Sequence, residues 1–209
     1  MSFFDIKNIA FEVLNYPISY VEFIGTFFGL LSVYFATKTN ILTWSTGIVN
    51  VVFLFILFFQ VQLYADMFLQ VYFLVVTLFG WYNWKNMPDK NNIISIPFKL
   101  KIWIICLIFL LTFVTGFIMS TIHLLIPKYF KLAATFPYVD SFVMIMSIFA
   151  TVLLAKKKIE TWYLWIIVDL VCVFLFFHKE INFLAFEYLI FLGLATTGLL
   201  NWKKQLNHG

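Results

Sequence analysis

The chain is 209 residues long, 63% hydrophobic and 11% charged, with 28 Phe, 10 Tyr and 7 Trp. A soluble domain carries about 25% charged residues, and one core of this size cannot hide so much apolar surface, so a water-soluble globule is excluded. All 14 basic residues are Lys, lying in short groups between apolar runs; the formal charge of +4 therefore reads as a topology signal, not as a nucleic-acid patch.

The N-terminal segment, residues 1–19, has an acid before its first Lys and lacks the basic start and small-residue cleavage site of a removable signal peptide. It is read as an interfacial segment, with a short helix ending near Pro17. A spanning helix takes roughly 20 apolar residues. Seven such runs follow: Val21 to Ala36, Leu42 to Phe59, Met67 to Trp84, Ile102 to Leu125, Tyr138 to Ala155, Trp162 to Phe177 and Ile181 to Trp202. Polar breaks separate them, among them Lys85 to Lys101 with Pro88 and Pro97, Pro127 to Lys131, and Lys156 to Glu160. The expected fold is an all-α polytopic membrane protein, with no room left for a soluble catalytic domain.

Seven spans place the loops alternately on two sides. Lys7, Lys128, Lys131 and Lys179 fall on one side and the other ten lysines on the opposite one, which puts the N-terminus outside and the C-terminus in the cytoplasm. Cys106 and Cys172 each lie inside an apolar run and read as packing residues.

Sliding the sequence against itself by 118 positions lays Thr37–Trp44 over Ala155–Trp162. The ungapped match extends back to Tyr20-Val21-Glu22 over Tyr138-Val139-Asp140, and forward to Gly80 and Asn83-Trp84-Lys85 over Gly198 and Asn201-Trp202-Lys203. Matches at polar loop positions argue for a duplicated unit. The organisation is then a first three-helix repeat over 20–86, a loop and linker helix over 87–137, a second repeat over 138–204, and a tail over 205–209. One linker span makes the repeats parallel, the arrangement of carriers whose site lies between two halves near the midplane.

Ionisable groups inside a membrane are costly and mark sites by default. Trp162, Trp165 and Asp169 lie at i, i+3 and i+7 of the sixth span, on one face, stepping about 10 Å along it. Two indoles and a carboxylate suit a flat cationic ring. Trp162 overlies Trp44 in the repeat and so also reads as part of an interfacial aromatic belt, the role assigned to Trp44, Trp81, Trp84, Trp103 and Trp202. Trp165 overlies Gly47 and Asp169 overlies Val51, so those two distinguish the halves, as an asymmetric ligand requires.

The third span adds Asp66 and Gln70, four apart on one face; Gln70 can both donate and accept, as a carboxamide or sugar hydroxyl requires. The seventh adds Glu187 and Tyr188, and the second Asn50. Helix-to-helix bonding serves equally well for Gln70 and Tyr188, and a buried pair for Glu187. Glu22 and Asp140, near the outer ends of repeat-related spans, read as structural. Gly25 and Gly29 form a small-residue packing motif. The histidines lack metal-ligand spacing, and no phosphate loop or nucleophile motif is present, so no cofactor or catalytic residue is assigned.

The stretches Leu63-Tyr64-Ala65-Asp66 to Gln70-Val71-Tyr72 and Gly80-Trp81-Tyr82-Asn83-Trp84, and above all Trp162-x-x-Trp165-x-x-x-Asp169, resemble the Pnu family of bacterial vitamin transporters, especially its nicotinamide riboside branch. The resemblance covers nearly the whole chain after Tyr20. It implies a SWEET-like 3+1+3 fold in the bacterial inner membrane, assembled as a homotrimer. It also implies facilitated diffusion, with the vitamin trapped inside by phosphorylation. By the same resemblance Trp162, Trp165 and Asp169 are substrate ligands and Gln70 joins them. Nicotinamide riboside and thiamine are both flat cations; Gln70 favours the riboside, Glu187 is the residue to weigh for thiamine, and neutral riboflavin fits buried acids worst. A membrane-embedded enzyme or ligand sensor is the rival from another class, for which no nucleophile and base or signalling domain is visible.

Overall fold

A computed structural model of the chain describes residues 4–13, 16–62, 64–87, 93–125, 134–179 and 182–208. Leu63, Pro88, Pro127, Lys128, Lys131 and Ile181, used above for motifs, breaks, spans and topology, lie outside them, as does Lys90 among the other ten lysines.

Among the described residues seven helices carry the chain: α1 (Tyr20–Thr37), α2 (Leu42–Gln60), α3 (Tyr64–Asn86), α4 (Phe98–Leu125), α5 (Pro137–Ala155), α6 (Glu160–His178) and α7 (Asn182–His208). All seven are long and apolar enough to cross a membrane. In sequence order α1, α2 and α3 pack on one another, as do α5, α6 and α7; α1 also meets α7, α3 meets α5, and α4 leans on α5. The outer faces are rich in exposed Phe, Leu, Ile and Val, as lipid solvation requires.

The N-terminal segment departs from the expected interfacial helix. Residues Ile9–Val13 (β1) and Tyr16–Ser19 (β2) form an antiparallel pair instead. Pro17 and the β-branched Ile9, Val13 and Ile18 disfavour a helix, and a two-stranded ribbon tolerates Pro because both strands are edges. The pair is tied down from outside itself: Gln60 at the end of α2 donates to the Phe4 carbonyl at 2.6 Å and accepts from the Ile6 amide at 3.1 Å. Ser19 then caps α1 by accepting from the Glu22 amide, with Glu22 at the third helical position of a capping box.

The loop match seen in the sequence is a match in geometry. After α1, Asn40 N–H reaches back to the Phe35 carbonyl, and after α5, 118 positions on, Lys158 N–H reaches the Leu153 carbonyl, each closing a Schellman turn. The residues in the left-handed conformation there are Thr39 and Lys157, with φ of 52° and 50°, so neither turn uses the glycine that would announce it. The next helices start alike: Thr43 Oγ1 donates to the Ser32 carbonyl and Thr161 Oγ1 to the Ala150 carbonyl, both at 2.8 Å, fixing α2 on α1 and α6 on α5.

Trp44, Trp84 and Trp202 are buried, not arrayed in an interfacial belt; Trp81 and Trp103 are exposed, as a belt requires. The buried three join Trp162 in one cluster with Ala36, Ala155 and Ile159 at the lysine-rich end. Ring meets ring edge-on at 5.2 Å between Trp44 and Trp84 and at 5.5 Å between Trp162 and Trp202. Only glycine permits this packing, because a Cβ at Gly198 would lie 2.6 Å from the Trp162 ring and one at Gly80 would enter the Trp44 ring.

Candidate functional site

Helix α6 carries the residues singled out for a cationic ring. Trp162, at its first turn, is 1% exposed and wedged between Trp202 and Gly198. Its indole N–H has no partner among the described residues, and the same is true of its counterpart Trp44. In this conformation Trp162 therefore shares the packing environment of Trp44 and offers no open face. Trp165, half-buried, lies one turn further in and bridges two apolar clusters, the tryptophan group and a second one around Ile145, Met146, Val168 and Cys172.

Asp169 is 3% exposed and makes no hydrogen bond or ion pair among the described residues. Burying an isolated carboxylate is strongly unfavourable, so such a group calls for a cation or a hydrogen-bond donor. Its electrostatic neighbours are Cys172, one turn along α6, and Tyr188 on α7. Tyr188 stacks its ring on Phe176 at 5.4 Å. Cys172 is buried in the apolar cluster around Ile145, Met146 and Val168, as its reading as a packing residue expects.

Gln70, 6% exposed, is likewise buried without a hydrogen bond among the described residues. It lines a cleft of about 290 Å³ between α2 and α3, whose other walls, Val51, Val52, Phe55, Ile56, Val71 and Leu74, are apolar. Gln70 occupies the position equivalent to Tyr188, and Val51 that equivalent to Asp169. The α6–α7 pair thus offers an acid and a phenol where the α2–α3 pair offers a methyl-bearing wall and a carboxamide.

The remaining residues are held elsewhere. Asn50 donates to the Gly25 carbonyl at 2.9 Å and lies against Gly29, which commits its amide to joining α2 to α1. Glu187 feels the charge of Glu22, at the end of the α1–α7 contact away from the lysines. Asp66 feels Asp140 at the same end of the α3–α5 contact. Glu22 accepts from the Tyr16 hydroxyl at 3.0 Å, and Asp140 pairs with Lys179 at 3.6 Å. Tyr16, in β2, stacks on Phe183 of α7 at 5.4 Å; burial, with Glu22 beside it, pushes its hydroxyl up to about 12. Among the described residues no group of three His, Cys, Asp or Glu side chains could hold a metal ion.

Sequence reasoning passed over Glu160. Its carboxylate accepts from Ser95 Oγ at 2.6 Å and from the Ile96 amide at 3.2 Å, and pairs with Lys101 at 2.8 Å. With Ile94 bonded to both Lys157 and Ile159, this straps the segment before α4 across the start of α6. Its repeat counterpart is Leu42, so the self-comparison carried no signal for it.

Residues 19–204 match the family model described as nicotinamide mononucleotide transporter. The chain is 30% identical to the nicotinamide riboside transporter PnuC of Escherichia coli (strain K12), covering 97% of this chain and 94% of that protein. It is 25% identical to the riboflavin/roseoflavin transporter RibM of Streptomyces davaonensis, covering 94% and 91%. Its fold is similar to the crystal structure of the vitamin B3 transporter PnuC, with a TM-score of 0.67 at 20% identity over 91% of this chain and 83% of that one.

Proposed function

The chain belongs to the nicotinamide mononucleotide transporter family, and from that premise we propose that it carries nicotinamide riboside across the bacterial inner membrane by alternating access. The observation that carries this reading is Asp169, a buried carboxylate with no partner among the described residues, flanked by Trp165 and Tyr188. A pyridinium ring supplies the missing positive charge, and the indole and phenol faces attract the same cation. Gln70, also without a hydrogen bond among the described residues, is matched to the carboxamide or the ribose. Trp162 enters the site when the tryptophan cluster loosens.

The halves around this site are two parallel three-helix repeats joined by α4, a reading supported by the repeated turns, threonine bonds and tryptophan wedges 118 positions apart. The lysine-rich end faces the cytoplasm and the N-terminus lies outside. Transport is facilitated diffusion with no ion coupling, phosphorylation inside the cell traps the product, and the assembly is a homotrimer.

Calorimetric titration of the purified protein with nicotinamide riboside and then thiamine tests the substrate. Heat with the riboside, lost in Trp165→Ala and Asp169→Ala, is the expected result. Heat with thiamine alone moves the substrate to thiamine, with Glu187 as a second acid. Uptake of the riboside into sealed vesicles is expected to stop at equal concentrations; accumulation driven by a proton or sodium gradient refutes uniport.

A further inference from the structure

Two seams join α1–α2–α3 to α5–α6–α7, one between α1 and α7 and one between α3 and α5. At the lysine-rich end each seam is crossed by the same pair of hydrogen bonds. On α3, Asn83 Nδ2 donates to the Ala155 carbonyl at 2.8 Å and Trp84 Nε1 to the Leu154 carbonyl at 3.2 Å. On α7, Asn201 Nδ2 donates to the Thr37 carbonyl at 3.4 Å and Trp202 Nε1 to the Ala36 carbonyl at 3.0 Å. Donors and acceptors alike are 118 positions apart, so each half gives the other what it receives. The two donor indoles approach each other at 6.3 Å, closing the space between the halves.

These bonds can break without unravelling a helix. Their acceptors are the final residues of α1 and α5, whose carbonyls have no partner within the helix. The Ala36 and Leu154 carbonyls each also accept from the turn that follows, Thr39 N–H and Lys157 N–H, so each keeps one bond when the indole leaves and water takes the other lone pair. At the opposite end the same seams bring like charges together, Glu22 near Glu187 and Asp140 near Asp66. Each seam thus runs from reciprocal hydrogen bonds to facing acids.

We propose that Asn83–Trp84 and Asn201–Trp202 form a two-fold latch that holds the lysine-rich end shut and releases when the site opens toward that end. The latch concerns the moving parts and is independent of which vitamin is carried.

The test uses the full chain with Cys106→Ser, Cys172→Ser and a reporter at Val51→Cys, the buried position equivalent to Asp169. A membrane-impermeant maleimide is applied to vesicles of each orientation. In Trp84→Phe/Trp202→Phe, which keeps an aromatic ring at each position and removes both indole donors, labelling from the lysine-rich side is expected to rise roughly tenfold, as loss of two neutral hydrogen bonds from one of two states gives. Labelling from the opposite side is expected to fall. An unchanged rate from the lysine-rich side overturns the latch, and so does an equal rise from both sides, which is the mark of general loosening. Should that variant fail to reach the membrane, Asn83→Leu/Asn201→Leu, which leaves the tryptophan cluster whole, carries the same two-sided expectation.

Discussion

Replacing Asp169 by Asn isolates the charge on which the substrate assignment rests. The two side chains have nearly the same shape, so the apolar packing around Val168 and Cys172 is kept while the negative charge is removed. At about 4 to 5 Å and an effective dielectric constant of about 20, a carboxylate and a pyridinium attract by roughly 3 to 4 kcal/mol. Dehydrating the ligand offsets part of that, leaving a net of about 1.5 to 3 kcal/mol, or roughly 10- to 150-fold in Kd. Calorimetry with nicotinamide riboside and with its 1,4-dihydro form separates charge from shape, because the reduced ring is neutral and keeps the carboxamide and ribose. Asp169→Asn is expected to weaken the cation by that factor and to change the neutral form less than about threefold. Without ligand the variant is expected to melt higher, since a buried carboxylate lacking a partner among the described residues is gone. Equal losses for both ligands, or an unchanged Kd for the cation, refute the charge argument.

Glu160→Ala removes the acceptor for Ser95, Ile96 and Lys101 together and is expected to cost about 2 to 4 kcal/mol, read as a lowered melting temperature in detergent. Thr39→Gly relieves a left-handed residue at the turn after α1 and is expected to raise stability by about 0.5 to 1 kcal/mol in the same assay. Tyr16 has its hydroxyl pushed up to about 12 against an ordinary value of 10.0, so the folded state holds that proton more tightly. Its contribution is full below pH 10 and is lost as pH rises toward 12. Alkaline titration followed by tyrosinate absorption is expected to lose a phase near pH 12 in Tyr16→Phe.

All seven helices were legible, because each pairs a long apolar run with a polar break, and their ends fall within four residues of those read from hydropathy, except that α7 runs six residues past Trp202 to His208 through the stretch read as a tail. The N-terminal ribbon was not: its anchor, Gln60, lies far along the chain, and local pattern carries no trace of such a tie. Tryptophans near span ends were read as membrane anchors because composition gives depth but not facing. Gly80 and Gly198, already aligned in the repeat, held the clue that a large ring packs over them. The deep acids were easily found, since charge inside an apolar run is conspicuous. Their sorting was not: Asp169 lies beside Tyr188, whereas Glu187, the residue preceding Tyr188, turns toward Thr26 and Glu22 on α1. Adjacent helical residues point about 100° apart, so which neighbour each one meets depends on packing that the sequence does not display.

The reciprocal bonds across the seams have the geometry of an isologous interface, the kind that two identical subunits make about a two-fold axis. In such a contact one favourable residue acts twice, so an ancestral three-helix unit of this shape closes on a second copy of itself with no further invention. Any fusion of two such copies leaves the contact intact and frees the two interiors to differ. Val51 where the other unit has Asp169, and Gln70 where it has Tyr188, are the record of that freedom: matched turns and seams around unlike interiors.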